Sequence, residues 1–139
     1  MESPNFVAGG TIRPSRFVKI DSDNDHQVLE ADANEALMGI SQTGTNRVPL
    51  SDLVTTSYAA VDGEQVKVYG NGDFAIIEAG DVIVRGNKLK SDADGKGVPV
   101  ATTGTTVQNY GALALASAAA SGELIPVQVL LGDTRPALA

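Results

Sequence analysis

Polar and apolar residues alternate most clearly at Gln65–Tyr69, where Val66 and Val68 stand between Gln65, Lys67 and Tyr69. A period of two places one set of side chains on a buried face of a strand. Short runs of the same type recur at Phe17–Ile20, 27–31, 36–41, Phe74–Glu78, 82–84, 88–90, 98–101, 110–115 and 124–131. They are bounded by residues that favour turns, notably Gly70-Asn71-Gly72, Gly86-Asn87 and Asp94-Gly95. Asn and Gly tolerate the positive φ that tight turns require. The Gly-Asn-Gly stretch predicts a hairpin between Gln65–Tyr69 and Phe74–Glu78. Gly39, inside the third run, marks a bulge or a close backbone approach. Residues 43–53 read as loop, with a helical turn starting at Ser51-Asp52-Leu53. The alanine-rich stretch 117–121 admits a short helix ended by Gly122.

The chain also repeats itself. "AGGTIRPSRFVKIDSD" from Ala8 matches "AGDVIVRGNKLKSDAD" from Ala79 at a constant offset of 71 (79 − 8). Ala8, Gly9, Ile12, Lys19, Asp21 and Asp23 meet Ala79, Gly80, Ile83, Lys90, Asp92 and Asp94. Further along, 27–31 answers 98–102, 36–41 answers 110–115, and 63–73 answers 122–133. The repeat is too long for a solenoid unit, so two related β-units sharing one core are expected, at roughly 8–70 and 79–133. The predicted fold is therefore all-β: a compact β-sandwich or barrel-like domain. Residues 1–16, with two prolines and adjacent glycines, are expected to form an extended N-terminal arm. Residues 17–131 make the core, and 132–139 a flexible tail.

Composition narrows the function. The apolar fraction of 42% in 139 residues suits one folded domain. A formal net charge of −7 argues against nucleic acid and anionic membrane, and is compatible with a basic protein partner. No cysteine is present, which removes disulfides, thiolate catalysis and Cys-ligated zinc. Three Phe, three Tyr and no Trp make a poor stacking platform for sugars or bases. "MESPNFVAGG" lacks the pattern of a secretory leader, and no apolar run reaches the length of a bilayer span.

The strongest chemical lead is "DSDNDHQVLEAD". Asp21, Asp23 and Asp25 fall at positions 1, 3 and 5 of a calcium-loop pattern. Position 6 is His26 rather than Gly, and position 12 is Asp32 rather than Glu. The second copy has Lys96 where Asp25 stands. The shared feature is a polar turn, and the three aspartates remain only a candidate for a cation site. His26, the single histidine, belongs to no Ser-His-Asp arrangement, and no phosphate-binding glycine loop occurs. Neither catalytic residues nor a cofactor are expected.

The blocks "ALMGIS", "AGDVIVRGNKLKSDADGKG" and "GALALASAAASGE", in this order, resemble tailed-bacteriophage head decoration proteins, also called capsid cement proteins. The resemblance spans 13–131. It implies a non-enzymatic protein on the outer capsid surface of the virion, made in the host cytoplasm. Its partner would be the major capsid protein, whose lattice it would stabilise, and it would act as a homo-oligomer, often a trimer. On that reading the arm residues Pro4, Asn5, Phe6, Val7, Ile12 and Arg13 are candidates for capsid binding by strand addition. The competing reading is a cation-dependent adhesive or host-surface-binding module of the virion.

Overall fold

The computed structural model describes residues 5–42, 59–100 and 107–134. These form ten strands and, among the described residues, no helix. The first five are β1 (Asn5–Ala8), β2 (Phe17–Ile20), β3 (Gln27–Glu30), β4 (Gly39–Ser41) and β5 (Gln65–Tyr69). They close into a barrel in the order β1-β3-β2-β4-β5, with β5 returning to β1. The second five are β6 (Phe74–Glu78), β7 (Lys88–Ser91), β8 (Gly97–Pro99), β9 (Gln108–Ala114) and β10 (Leu124–Thr134). They form a five-stranded sheet in the order β6-β10-β9-β7-β8, whose ends meet at a bridge of Ala79 with Gly97 rather than along a ladder; this incompletely closed sheet is the second barrel.

The two sheets share one circuit. β1 pairs with β5, β5 with β4, β4 with β2 and β2 with β3. Likewise β6 pairs with β10, β10 with β9, β9 with β7 and β7 with β8. The parallel contact of β1 with β3 (Ala8 opposite Val28) returns as a single parallel bridge between Ala79 and Gly97. The antiparallel bridge of Ile12 with Ala60 returns as Ile83 with Ala118. The offset of 71 holds through β2 and β7, then falls to 69 after the acidic turn (95 − 26) and to 59 at the last strand (122 − 63). Backbone conformation follows these offsets. Ser15 and Gly86 are both at positive φ (56° and 88°), as are His26 and Gly95 (59° and 79°). A left-handed residue costs a side chain strain that glycine avoids, so the repeated chain path is imposed by the fold even where the residue differs.

Each barrel has its own interior. Ala8, Ile12, Val18, Val28, Ala60, Val66 and Val68 fill the first, and all are essentially inaccessible to solvent. Their counterparts are Ala79, Ile83, Leu89, Gly97, Ala118, Ile125 and Val127. Volume is exchanged between neighbours: Val18 becomes Leu89 while Val28 becomes Gly97. A Cβ at Gly97 would lie 3.3 Å from Leu89 and 3.4 Å from Ile77. Cores accept such swaps when the total volume is kept.

A second apolar row joins the barrels. Ala31, Phe17, Ile40 and Tyr69 lie side by side across β3, β2, β4 and β5, on the outside of the first barrel. They pack into the cluster that contains the second barrel's interior. The Phe17 ring lies so close to Gly111 that a Cβ there would be 2.7 Å from it, and 2.6 Å from Leu37. The units are therefore joined by one apolar cluster, made of the second unit's interior and the outer row of the first, while the first unit's own interior is a separate cluster, so the single shared core that the repeat predicts is found as two. Gly39 is also a close approach: a Cβ would overlap the Tyr69 carbonyl oxygen.

Four local expectations differ from the structure. The Gly70-Asn71-Gly72 turn does not make a hairpin, because β5 pairs with β1 and β4 while β6 pairs with β10. Closing the first barrel uses both edges of β5, so none is left for β6, and the turn instead passes the chain from one unit to the other. Residues 82–84 contribute one bridge rather than a strand, and 117–121 adopt no helix, since Ala118 is held by Ile83 through two backbone hydrogen bonds of 2.9 Å. The tail assigned to 132–139 begins as strand, because β10 runs to Thr134. The helical turn at 51–53 lies outside the described residues.

The N-terminal segment differs most. Residues 5–13 do not project as an arm. β1 stands between β3 and β5, Ile12 is fully buried, and Ala8 N–H donates to the Glu64 carbonyl at 2.8 Å. Phe6, Val7, Ala8 and Ile12 supply enough apolar surface to hold the segment, while Pro14 falls beyond the paired residues. Deleting residues 2–13 is accordingly expected to abolish the cooperative thermal transition seen by circular dichroism. A truncated chain melting as the full chain does would show that β1 is dispensable.

Candidate interaction surface

The acidic turn is organised around its own first aspartate. Asp21 Oδ1 accepts from Asp23 N–H at 2.9 Å, and Oδ2 accepts from the Asn24 side-chain amide at 3.1 Å. These bonds hold the Asp21 carboxyl below its usual range, the backbone bond first. Asp92 repeats the role, accepting from Asp94 N–H at 2.8 Å and Lys96 N–H at 2.9 Å. Asp23 and Asp25 are exposed. Among the described residues no three His, Cys, Asp or Glu side chains form a group that could hold a metal ion. Asp21, Asp23 and Asp25 are thus neighbours in sequence that the turn does not converge.

A polar seam borders the apolar contact between the barrels. Arg13 pairs with Glu30 and lies 3.7 Å from Asp94. The Arg16 side chain, 7% exposed, reaches Glu78 at 3.0 Å, and its second terminal nitrogen donates to the Asp94 carbonyl at 2.9 Å. Lys96 meets the same Glu78 at 3.3 Å. Phe17 N–H donates to the Gly95 carbonyl at 2.8 Å. On another edge, Asn34 and Asn109 exchange bonds: Asn109 N–H donates to Asn34 Oδ1 at 2.9 Å, and the Asn109 amide donates to the Asn34 carbonyl at 3.1 Å. These directional bonds set the register of the barrels, which apolar packing alone leaves loose.

The residues named for an arm are therefore dispersed. Pro4 lies outside the described residues, and Asn5 pairs in β1 opposite Lys67. Phe6 and Val7 are half-buried, Ile12 is enclosed, and Arg13 is committed to Glu30. They do not form one exposed surface.

Apart from Ile20 on β2, the large apolar side chains exposed among the described residues lie on the second barrel. Phe74 and Ile76 point outward from β6, and Leu124 and Pro126 outward from β10. Ile76 sits opposite Pro126, and Leu115 N–H donates to the Pro126 carbonyl at 3.1 Å. Phe74 sits opposite Gln128, which sits opposite Leu113. Phe74 is 68% exposed and Leu124 62%, with Leu115 at 46% and Ile76 at 39%. Single exposed apolar residues are ordinary, but contiguous ones mark contact surfaces. The sequence carried a signal for it. β5 alternates polar and apolar, whereas "FAII" and "LIPVQVLL" are apolar at outward as well as inward positions, the mark of a strand covered on both faces.

The geometry defines a class of fold: a closed five-stranded β-barrel and a five-stranded sheet of like strand order, joined through an apolar cluster. A solved structure of similar fold is the head fiber gp8.5 N base in bacteriophage phi29, with a TM-score of 0.60 and 20% sequence identity, covering 99% of this chain and 98% of that one. No protein-family model matches the chain, and no curated protein matches it.

Two outcomes test the electrostatic reading. Calcium and a chelator are expected to leave the melting temperature equal, because Asp21 is spent on its turn; a calcium-dependent rise would restore the cation site. Lys19 donates to Glu35 at 2.9 Å, which holds the Glu35 carboxyl below its usual range and the Lys19 ammonium above its own. A depressed carboxyl contributes stability above its unfolded value, about 4.3, and loses it as pH falls through the folded value. Glu35→Gln is therefore expected to cost about 0.2–1 kcal/mol near neutral pH, for a pair this exposed. Urea unfolding at successive pH values should show the difference vanishing in acid; a pH-independent difference would assign the effect to packing.

Proposed function

We propose that this protein is a structural component of a bacteriophage head, a non-enzymatic decoration protein that binds the outer capsid surface and stabilises the lattice of the major capsid protein. The observation that carries the reading is the likeness in fold, over nearly the whole of both chains, to a base segment of a phage head fiber. The resemblance of the sequence blocks to capsid cement proteins supports it independently. The molecule suits a clamp: a closed barrel and a five-stranded sheet joined through an apolar cluster, with ionic and amide bonds fixing their relation. Many copies on one shell turn modest contacts into firm attachment.

Quantitative mass spectrometry of purified virions of the encoding phage tests this. Expected are copies in fixed ratio to the major capsid protein, together with cosedimentation of the purified protein with heads that lack it. Absence from virions, or failure to bind such heads, overturns the proposal.

A further inference from the structure

The seam of the second barrel is interrupted by the first. In the first barrel β1 bonds directly to the chain entering β3: Val7 N–H donates to the His26 carbonyl at 2.9 Å, and Gly9 N–H to the Val28 carbonyl at 2.9 Å. By the offsets of the repeat, the counterparts are Glu78 with Gly95 and Gly80 with Gly97. The second of these bonds is kept, since Gly80 N–H donates to the Gly97 carbonyl at 2.8 Å. The first is not. Glu78 N–H donates to the Ser15 carbonyl at 3.0 Å, and the Gly95 carbonyl accepts from Phe17 N–H at 2.8 Å. Ser15-Arg16-Phe17 therefore stands as a splint between two groups whose counterparts bond to each other. The side chains fit an inserted element. Arg16 spans the gap, from the Glu78 carboxylate at 3.0 Å to the Asp94 carbonyl at 2.9 Å. At Gly95 a Cβ would lie 3.2 Å from the Phe17 carbonyl oxygen and 3.3 Å from the Arg16 Cβ. His26, also at positive φ but bonded directly to Val7, carries a full side chain. Arg16 Nε is buried without a hydrogen-bond partner among the described residues, a cost that the splinted arrangement carries.

We propose that this seam is a latch with two states. In the latched state, the one described above, the splint holds the second barrel open and ties it to the first. In the released state Ser15-Arg16-Phe17 withdraws, Glu78 N–H donates to the Gly95 carbonyl as Val7 does to His26, and the second barrel closes on itself. The closed form requires no new fold, because the first barrel already has it with the same strand order. At this rung no backbone group of the second barrel loses a partner on release. The groups given up to water, Phe17 N–H and the Ser15 carbonyl, belong to the first unit. Release also returns Arg16 Nε to solvent. Against it stands the Phe17 ring, fully buried while latched, which makes the latched state the resting one. The two units are thereby able to hinge apart while the second barrel stays folded.

Amide hydrogen exchange of the full chain, read residue by residue by NMR, tests the latch. Gly95→Asn places a side chain where Arg16 and Phe17 lie, using a residue that tolerates positive φ. Exchange of the Phe17 amide is expected to rise about tenfold or more, while the Glu78 amide keeps its wild-type protection through its new acceptor. Amides within β9 and β10 should be unchanged. Loss of protection at Glu78 together with Phe17, or wild-type protection at both, overturns the proposal. Should the variant fail to fold, the wild type carries the test by itself. In urea too dilute to unfold the chain, the Phe17 amide is expected to exchange through an opening of smaller free energy than the Glu78 amide. Equal opening free energies at the two amides would overturn the latch. Both readouts use the free protein, so the outcome is independent of virion binding.

Discussion

The contact of the Phe17 ring with the backbone at Gly111 is the constraint on which the rest of the arrangement depends. A five-stranded barrel of this size encloses few side chains, and the first barrel's interior is built mostly of Val and Ala. Burying an additional outer row of Ala31, Phe17, Ile40 and Tyr69 extends the apolar core beyond what one barrel can enclose. Full burial of such side chains contributes about 1.5–3 kcal/mol each for the larger ones. Gly111 permits the approach because any side chain there would meet Phe17 and Leu37. It sits where the pairing of β7 with β9 shifts register between Leu89 and Lys90, so the bulge delivers the one position without a side chain to the ring.

Around that contact the repeat acts as an internal control. Features kept in both copies are those the fold needs: positive φ at 15 and 86, the aspartate cap at 21 and 92, and the glutamate that bonds back at 64 and 123. Glu64 accepts from Val61 N–H and Glu123 from Ala120 N–H, closing equivalent turns. Features present in one copy only are those the relation between copies needs. Arg13 and Arg16 reach the second barrel and are replaced by Val84 and Asn87, which have no third barrel within the chain to reach. Asn34 likewise reaches across, through its bonds from Asn109.

Much of this was legible in the residues. The alternation at Gln65–Tyr69 and the run at Phe17–Ile20 located strands to the residue, since one face of each is buried and the pattern is local. The duplication announced two units because the turn residues that force the chain path are themselves repeated. Partner choice was less legible. Gly70-Asn71-Gly72 has all the chemistry of a hairpin turn, yet its flanking strands belong to different units, because closure of the first barrel takes both edges of β5. The offset between Gln27 and the second copy also misled: the first acidic turn is two residues longer, so Val28 corresponds to Gly97 rather than Pro99. The segment before Pro14 looked like an arm because four short apolar residues separated by glycines carry little periodicity. Its place between β3 and β5 is decided by long-range pairing.

The exposed apolar strip of the second barrel has no apolar counterpart in the first, where Gln65 and Lys67 stand in the places of Leu124 and Pro126. An isolated chain would be expected to make its unused apolar surface polar, as selection for solubility does elsewhere on this acidic molecule, where Lys67, Gln65 and the carboxylates of both turns face solvent. Phe74, Leu124, Pro126 and Leu115 depart from that expectation together and on adjoining strands. The cost of keeping them is solubility, and no feature of the barrel's interior requires them, since their side chains point away from it. A surface that is conformationally free to be polar and is apolar instead is best accounted for by what meets it.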